Sequence, residues 1–122
     1  MASIEDIKEK YERYEQWVKN RKAHEDELVN ELERAIQEED LERVKNLYEE
    51  SYEFDFETYR LGLKVAKQIR QMEDKAGIKN IFSDSLNDFI RDTKIVLLTY
   101  EKELEGVIQK IYEQLDKDGI GE

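Results

Sequence analysis

Large apolar side chains recur at intervals of three and four along almost the whole chain, the spacing that lines one face of an α-helix. Between Ser83 and Lys117 they fall at Leu86, Ile90, Leu97, Tyr100, Leu104, Val107 and Ile111, with only Thr93 interrupting. Ser83 or Asp84 suits the start of this helix, and Gly119 sits just past its end. The run Ile95-Val96-Leu97-Leu98 covers more than one face. This helix is therefore expected to have neighbours on two sides and to be the element the others pack around.

The first helix opens at Ser3, with Asp6 three residues on, as in a capping box. Ile4, Ile7, Tyr11, Tyr14 and Val18 form its stripe, which resumes at Leu28, Leu32, Ala35 and Ile36. Between them Lys19 to Glu27 carries only Ala23 as an apolar residue, so packing there should be thin or wet. A tight turn at Glu38–Asp40, with Asp40 as cap, leads into a second helix through Leu41, Val44, Leu47 and Tyr48. Tyr52, Phe54 and Phe56 then alternate at period two, which favours a kink near 53–56 over a lone unpaired strand. The stripe continues to Met72, and Gly77 is placed to end the helix in a left-handed conformation, with Ile78 folding back.

The pattern predicts an all-α fold: an elongated antiparallel bundle of three long helices, about 4–38, 41–76 and 83–117. At 1.5 Å per residue each is about 50 Å long. A true break at the kink would turn the same chain into a four-helix arrangement. One domain spanning 1–122 is expected, with 118–122 as a frayed tail. In such a bundle residue i of the first helix lies level with residue 79 − i of the second, which sets His24 beside Phe54–Phe56. A polar gap facing an aromatic irregularity implies a hydrated defect or a small pocket. The same reasoning about Lys79 sets Leu98 level with Leu61.

Composition narrows the chemistry. The chain has no Pro and no Cys, so nothing inside the helices forbids them, and disulfides, thiolate metal sites and Cys nucleophiles are excluded. Its single His24 cannot supply the two Glu-x-x-His motifs of a di-iron bundle. A Ser-His-Asp arrangement would have to draw on Ser3, Ser51, Ser83 or Ser85, most of which suit helix ends. Asp116-Lys117-Asp118-Gly119 opens like a calcium loop, but the chain ends at Glu122, short of the ligand at the twelfth position. No catalytic residue, metal ligand or cofactor is expected. No apolar run reaches the length of a membrane span and the N-terminus lacks a signal-peptide core, so the expectation is a cytoplasmic protein.

The net charge of −11 disfavours direct binding to nucleic acid or anionic membranes. It is unevenly spread: residues 25–57 hold fourteen acidic and three basic side chains, whereas 58–79 hold two acidic and six basic. The expected function is a non-catalytic protein–protein interaction module, a small acidic regulator, inhibitor or immunity-type protein. Its basic partner would meet the acidic tip at Glu31, Glu38, Glu39, Asp40, Glu42, Glu49, Glu50 and Glu53. A narrower alternative is a nucleic-acid mimic that blocks a DNA- or RNA-binding protein through the same tip, and a third is an enzyme or metal protein built on the His24 layer. Leu61, Ile95 and Leu98 are read as one lateral patch that supports a homodimer.

Overall fold

A computed structural model describes residues 3–118. Three helices follow in chain order: α1 (Ile4–Gln37), α2 (Leu41–Ala76) and α3 (Ile81–Lys117). The expected tail at 118–122 lies, from Gly119 on, outside the described residues.

Local chemistry sets most of the boundaries. Ser3 Oγ accepts from the Asp6 amide at 3.2 Å and Asp6 Oδ2 accepts from the Ser3 amide at 3.0 Å, closing the capping box. These bonds hold the Asp6 carboxyl below its usual range. Asp40 caps α2 by accepting from the Arg43 amide. Gly77 ends α2 at φ +68°, and the Ile78 amide donates back to the Glu73 carbonyl. Glu39, in the α1–α2 turn, is left-handed without being glycine, at φ +55°.

The start of α3 differs from expectation. The helix begins at Ile81, and its cap Asn80 makes no side-chain capping bond. The carboxylate of Glu73, on the last turn of α2 and fully buried, instead accepts from the amides of Phe82 at 3.0 Å and Ser83 at 3.3 Å. A buried carboxylate is tolerable because the free N–H groups and positive end of a helix surround it.

The arrangement also differs. The middle helix is α2, not α3: α1 and α3 each pack along α2, and they meet one another chiefly through side chains near the α2–α3 turn, where Tyr11 reaches Phe82 and Ser85 and Tyr14 reaches Phe89. α3 therefore has one full neighbour, and Ile95, Val96 and Leu98 stay exposed. α2 runs unbroken through 53–56, so the four-helix variant is not adopted. The alternating aromatics have a helical explanation. Phe54 turns toward α1, Tyr52 and Phe56 turn to the outer flank, and Asp55 between them points inward and is buried.

The core falls into two apolar clusters. Leu28, Leu32, Val44, Leu47 and Val107 anchor one near the α1–α2 turn, and Ile7, Tyr14, Ile69, Leu86 and Ile90 anchor the other near the α2–α3 turn. Between them the inward face of α2 carries Ser51, Asp55, Thr58 and Gly62. Gly62 is needed for space. A Cβ there would stand 2.6 Å from the Tyr14 hydroxyl and 3.0 Å from Ile90 Cγ1. Tyr14 uses that room to lie across α2 and donate to the Thr58 carbonyl at 2.8 Å.

Two stability measurements follow. Glu73→Ala strands the Phe82 and Ser83 amides and removes packing, and should cost about 3 kcal/mol in urea unfolding. A loss under about 1 kcal/mol would mean that α3 does not depend on this cap. Glu39→Gly relieves a left-handed conformation and should raise stability by about 1 kcal/mol; an unchanged urea midpoint would remove the strain argument.

Candidate functional site

Because α1 and α3 stand apart over α2, a trough runs between them. Its central part is a cleft of about 320 Å³. Val18 and Phe54 form the apolar wall on one side, and Phe89 and Val96 on the other. Asp55 and Thr58 of α2 form the floor, and Glu25 and Asp92 stand at the edges. Toward the α1–α2 turn the trough widens into a space of about 520 Å³ bordered by Ile36, Leu41, Val44, Tyr48, Glu103 and Val107. At the opposite end it narrows to about 110 Å³ between Tyr11, Val18, Leu86 and Phe89.

Arg21 organises the central part. Its guanidinium carbon lies 4.3 Å from the Trp17 ring centroid and 3.9 Å from that of Phe54. The same group donates to the Phe54 carbonyl at 3.1 Å and to Glu57 Oε2 at 3.4 Å. Its Nε is buried and meets no hydrogen-bond partner among the described residues. Trp17 in turn stacks on Tyr14 at 5.9 Å, so a continuous column runs from Tyr14 through Trp17 and Arg21 to Phe54. The His24 ring leans on Phe54 at 5.0 Å.

Asp55 is the unusual group. Burial pushes its carboxyl up to about 6, and the negative charge of Glu25 adds to this. Arg21 and the Tyr100 hydroxyl oppose the shift without cancelling it. Tyr100 is itself pushed up to about 12, chiefly by burial and then by the charge of Asp55. Tyr14 rises to about 12, also by burial. The cations at the cleft are engaged: Lys19 with Glu15 at 3.6 Å, Lys22 with Asp26 at 3.7 Å, and Arg21 with Glu57. Glu25, Asp55 and Asp92 form no ion pair among the described residues.

The layer expected from sequence exists: His24 and Phe54 do meet. His24 is exposed and its Nδ1 lies 3.9 Å from Glu27 Oε2. Ser3 serves as a cap, Ser83 donates to the Asn80 carbonyl and Ser85 pairs with Tyr11, whereas Ser51 is buried on α2 close to Phe54 and Asp55. Among the described residues no three potential ligands converge on a metal position, and no helix is long and apolar enough to cross a membrane.

The expected tip residues Glu38, Glu39, Asp40 and Glu42 gather around the α1–α2 turn, whereas Glu31, Glu49, Glu50 and Glu53 lie further along the two helices. Two of them are partly neutralised, Glu38 by Arg43 at 3.9 Å and Glu49 by Lys45 at 3.2 Å. The expected lateral patch is split. Leu61 is half-buried against the second core cluster, while Ile95 and Leu98 are 57% and 55% exposed. The level of Leu98 also shifts. Tyr48 against Tyr100 and Gly62 against Ile90 place it level with residues 50–54, two to three turns from Leu61. Arg21, Asp55 and Gly62 were missed as a set. The available signal was their position: an arginine, an aspartate and a glycine fall where a core stripe should continue.

Comparison with models of known families, with curated proteins and with solved structures finds no match.

Asp55 gives a signed pH dependence. Its folded pKa lies above the ordinary value of 3.8, so the folded chain holds this proton more tightly than the unfolded chain. The contribution to stability is therefore greatest below about 4 and is lost as pH rises through about 6. One pKa unit is about 1.4 kcal/mol, and with the carboxylate bordering an open cleft the effect should be on the order of 2 kcal/mol. Asp55→Asn should match the unmutated protein at pH near 4 and exceed it by that amount at pH 7.5. Parallel stability–pH curves for the two proteins would show that Asp55 is not titrating in this range.

Proposed function

We propose that the protein is a non-catalytic protein-binding module, and that its trough receives an amphipathic helix bearing lysine or arginine. The observation that carries this reading is the separation of α1 and α3, which leaves an apolar channel along a third helix. A helix laid there would complete a four-helix layer, the helix-in-groove mode of recognition. Its apolar stripe would cover Val18, Phe89 and Val96, and a cationic side chain would meet Glu25, Asp55 and Asp92.

Charge supports the sign of the partner. The wide end of the trough lies in the part of the chain that holds the acidic 25–57 segment. Apolar walls at Val18, Phe54, Phe89 and Val96 favour a helix over the nucleic-acid mimic, whose target would need an exposed carboxylate surface alone.

A labelled peptide of about 18 residues, five helical turns, with a leucine stripe and lysine flanks tests the proposal by fluorescence anisotropy. It should bind, and its affinity should fall at least about tenfold, equivalent to about 1.4 kcal/mol, for Val96→Asp and for Asp55→Asn. Leu98→Ser, outside the trough, should leave binding unchanged. Equal binding to all four proteins would reduce the interaction to general attraction toward an acidic surface and would sink the proposal.

A further inference from the structure

The outer flank of α2, away from the trough, carries a second pattern. Taking 100° per residue, Glu49, Tyr52, Phe56, Leu63, Lys67 and Arg70 fall within about 60° of one another. Phe56 and Leu63 sit at the centre of this seam and are 43% and 44% exposed. Tyr52 stacks on Phe56 at 6.1 Å, and Tyr59 follows at 6.3 Å, so the centre is a continuous aromatic and apolar strip. Leu98 of α3, about level with Tyr52, is exposed as well. An exposed patch of this kind marks an interaction surface more often than a scattered leucine does.

The charges flanking the strip identify what covers it. On this flank Lys45 and Glu49 precede the strip, and Lys67, Arg70 and Asp74 follow it. If the flank is turned end over end about a point between Tyr59 and Arg60, the pattern meets its own opposite. Phe56 then faces the partner's Leu63, Glu49 faces the partner's Arg70, and Tyr52 faces the partner's Lys67. Lys45 likewise faces the partner's Asp74. A two-fold contact requires this self-complementarity, since each residue pair occurs twice. A parallel pairing would set acidic on acidic and basic on basic. We infer that two copies of this chain associate antiparallel through the outer flank of α2, with the two-fold axis passing near Tyr59 and Arg60 and both troughs left open. The surface is separate from the trough, so this inference does not depend on the function proposed above.

Light scattering coupled to gel filtration, at high micromolar concentration and near-physiological salt, should give twice the 14.7 kDa chain mass. Phe56→Glu should give the single-chain mass with the helical circular dichroism intact. Glu49→Arg and Arg70→Glu should each raise the dimer dissociation constant about tenfold or more, and combining both in one chain should restore it. Because the chain has no cysteine, Arg60→Cys reports the axis directly. A short thiol cross-linker should join Arg60→Cys chains to one another and leave Glu49→Cys chains unjoined. Val96→Asp, in the trough, should not alter the mass. A single-chain mass for the unmutated protein overturns the inference. So does a dimer that survives Phe56→Glu, a double charge swap that stays weak, or cross-linking at Glu49→Cys in place of Arg60→Cys.

Discussion

The structure depends on the stretch of α2 where large apolar residues give way to Ser51, Asp55, Thr58 and Gly62 on the inward face. A helix in the middle of three would ordinarily fill both neighbours' grooves with leucine and isoleucine. Here the filling comes from α1 instead: Tyr14 lies over Gly62, and Arg21 lies between Trp17 and Phe54. Large side chains reaching in from one helix toward small ones on the next divide the core into two clusters. They also keep α1 and α3 apart at the level of the cleft, so the polar layer and the trough share one cause.

That layer is an energetic concession. A partly buried carboxylate beside Glu25 raises its own pKa, and a guanidinium with an unpartnered buried Nε forgoes a hydrogen bond. An isolated three-helix bundle would be more stable with leucine at these positions. Local rules broken without local compensation point to function. Here they lie on the floor of a channel that the three helices leave open.

Much of the fold was legible in the chain. The capping box at Ser3 and Asp6, the cap at Asp40 and the left-handed Gly77 are written within a few residues of where they act, and the structure keeps each of them. The facing of His24 and Phe54 followed from a short turn and a fixed rise per residue. What was not legible is non-local. The cap of α3 comes from Glu73, ten residues before Ser83 and on another helix. The choice of middle helix turned on α2, where small residues permit close approach, although α3 has the more continuous apolar stripe. Leu61 was assigned to the surface because a wide apolar arc suggested surplus; Phe56 and Leu63, on the other edge of that arc, are the exposed ones.

The Glu73 cap also has a dynamic meaning. It ties the last turn of α2 to the first turn of α3, so those helices share an end as well as a long packed face. Among the described residues the α1–α2 turn is closed instead by backbone bonds, the Asp40 amide donating to the Ala35 carbonyl at 3.1 Å, around the left-handed Glu39 and an exposed ion pair at Glu38. Local opening in a folded protein begins where buried contacts are fewest. The α2–α3 junction therefore has a buried tie that the α1–α2 turn lacks among the described residues, while α1 is fastened along its length by Ile7, Tyr14, Arg21, Leu28 and Leu32 instead.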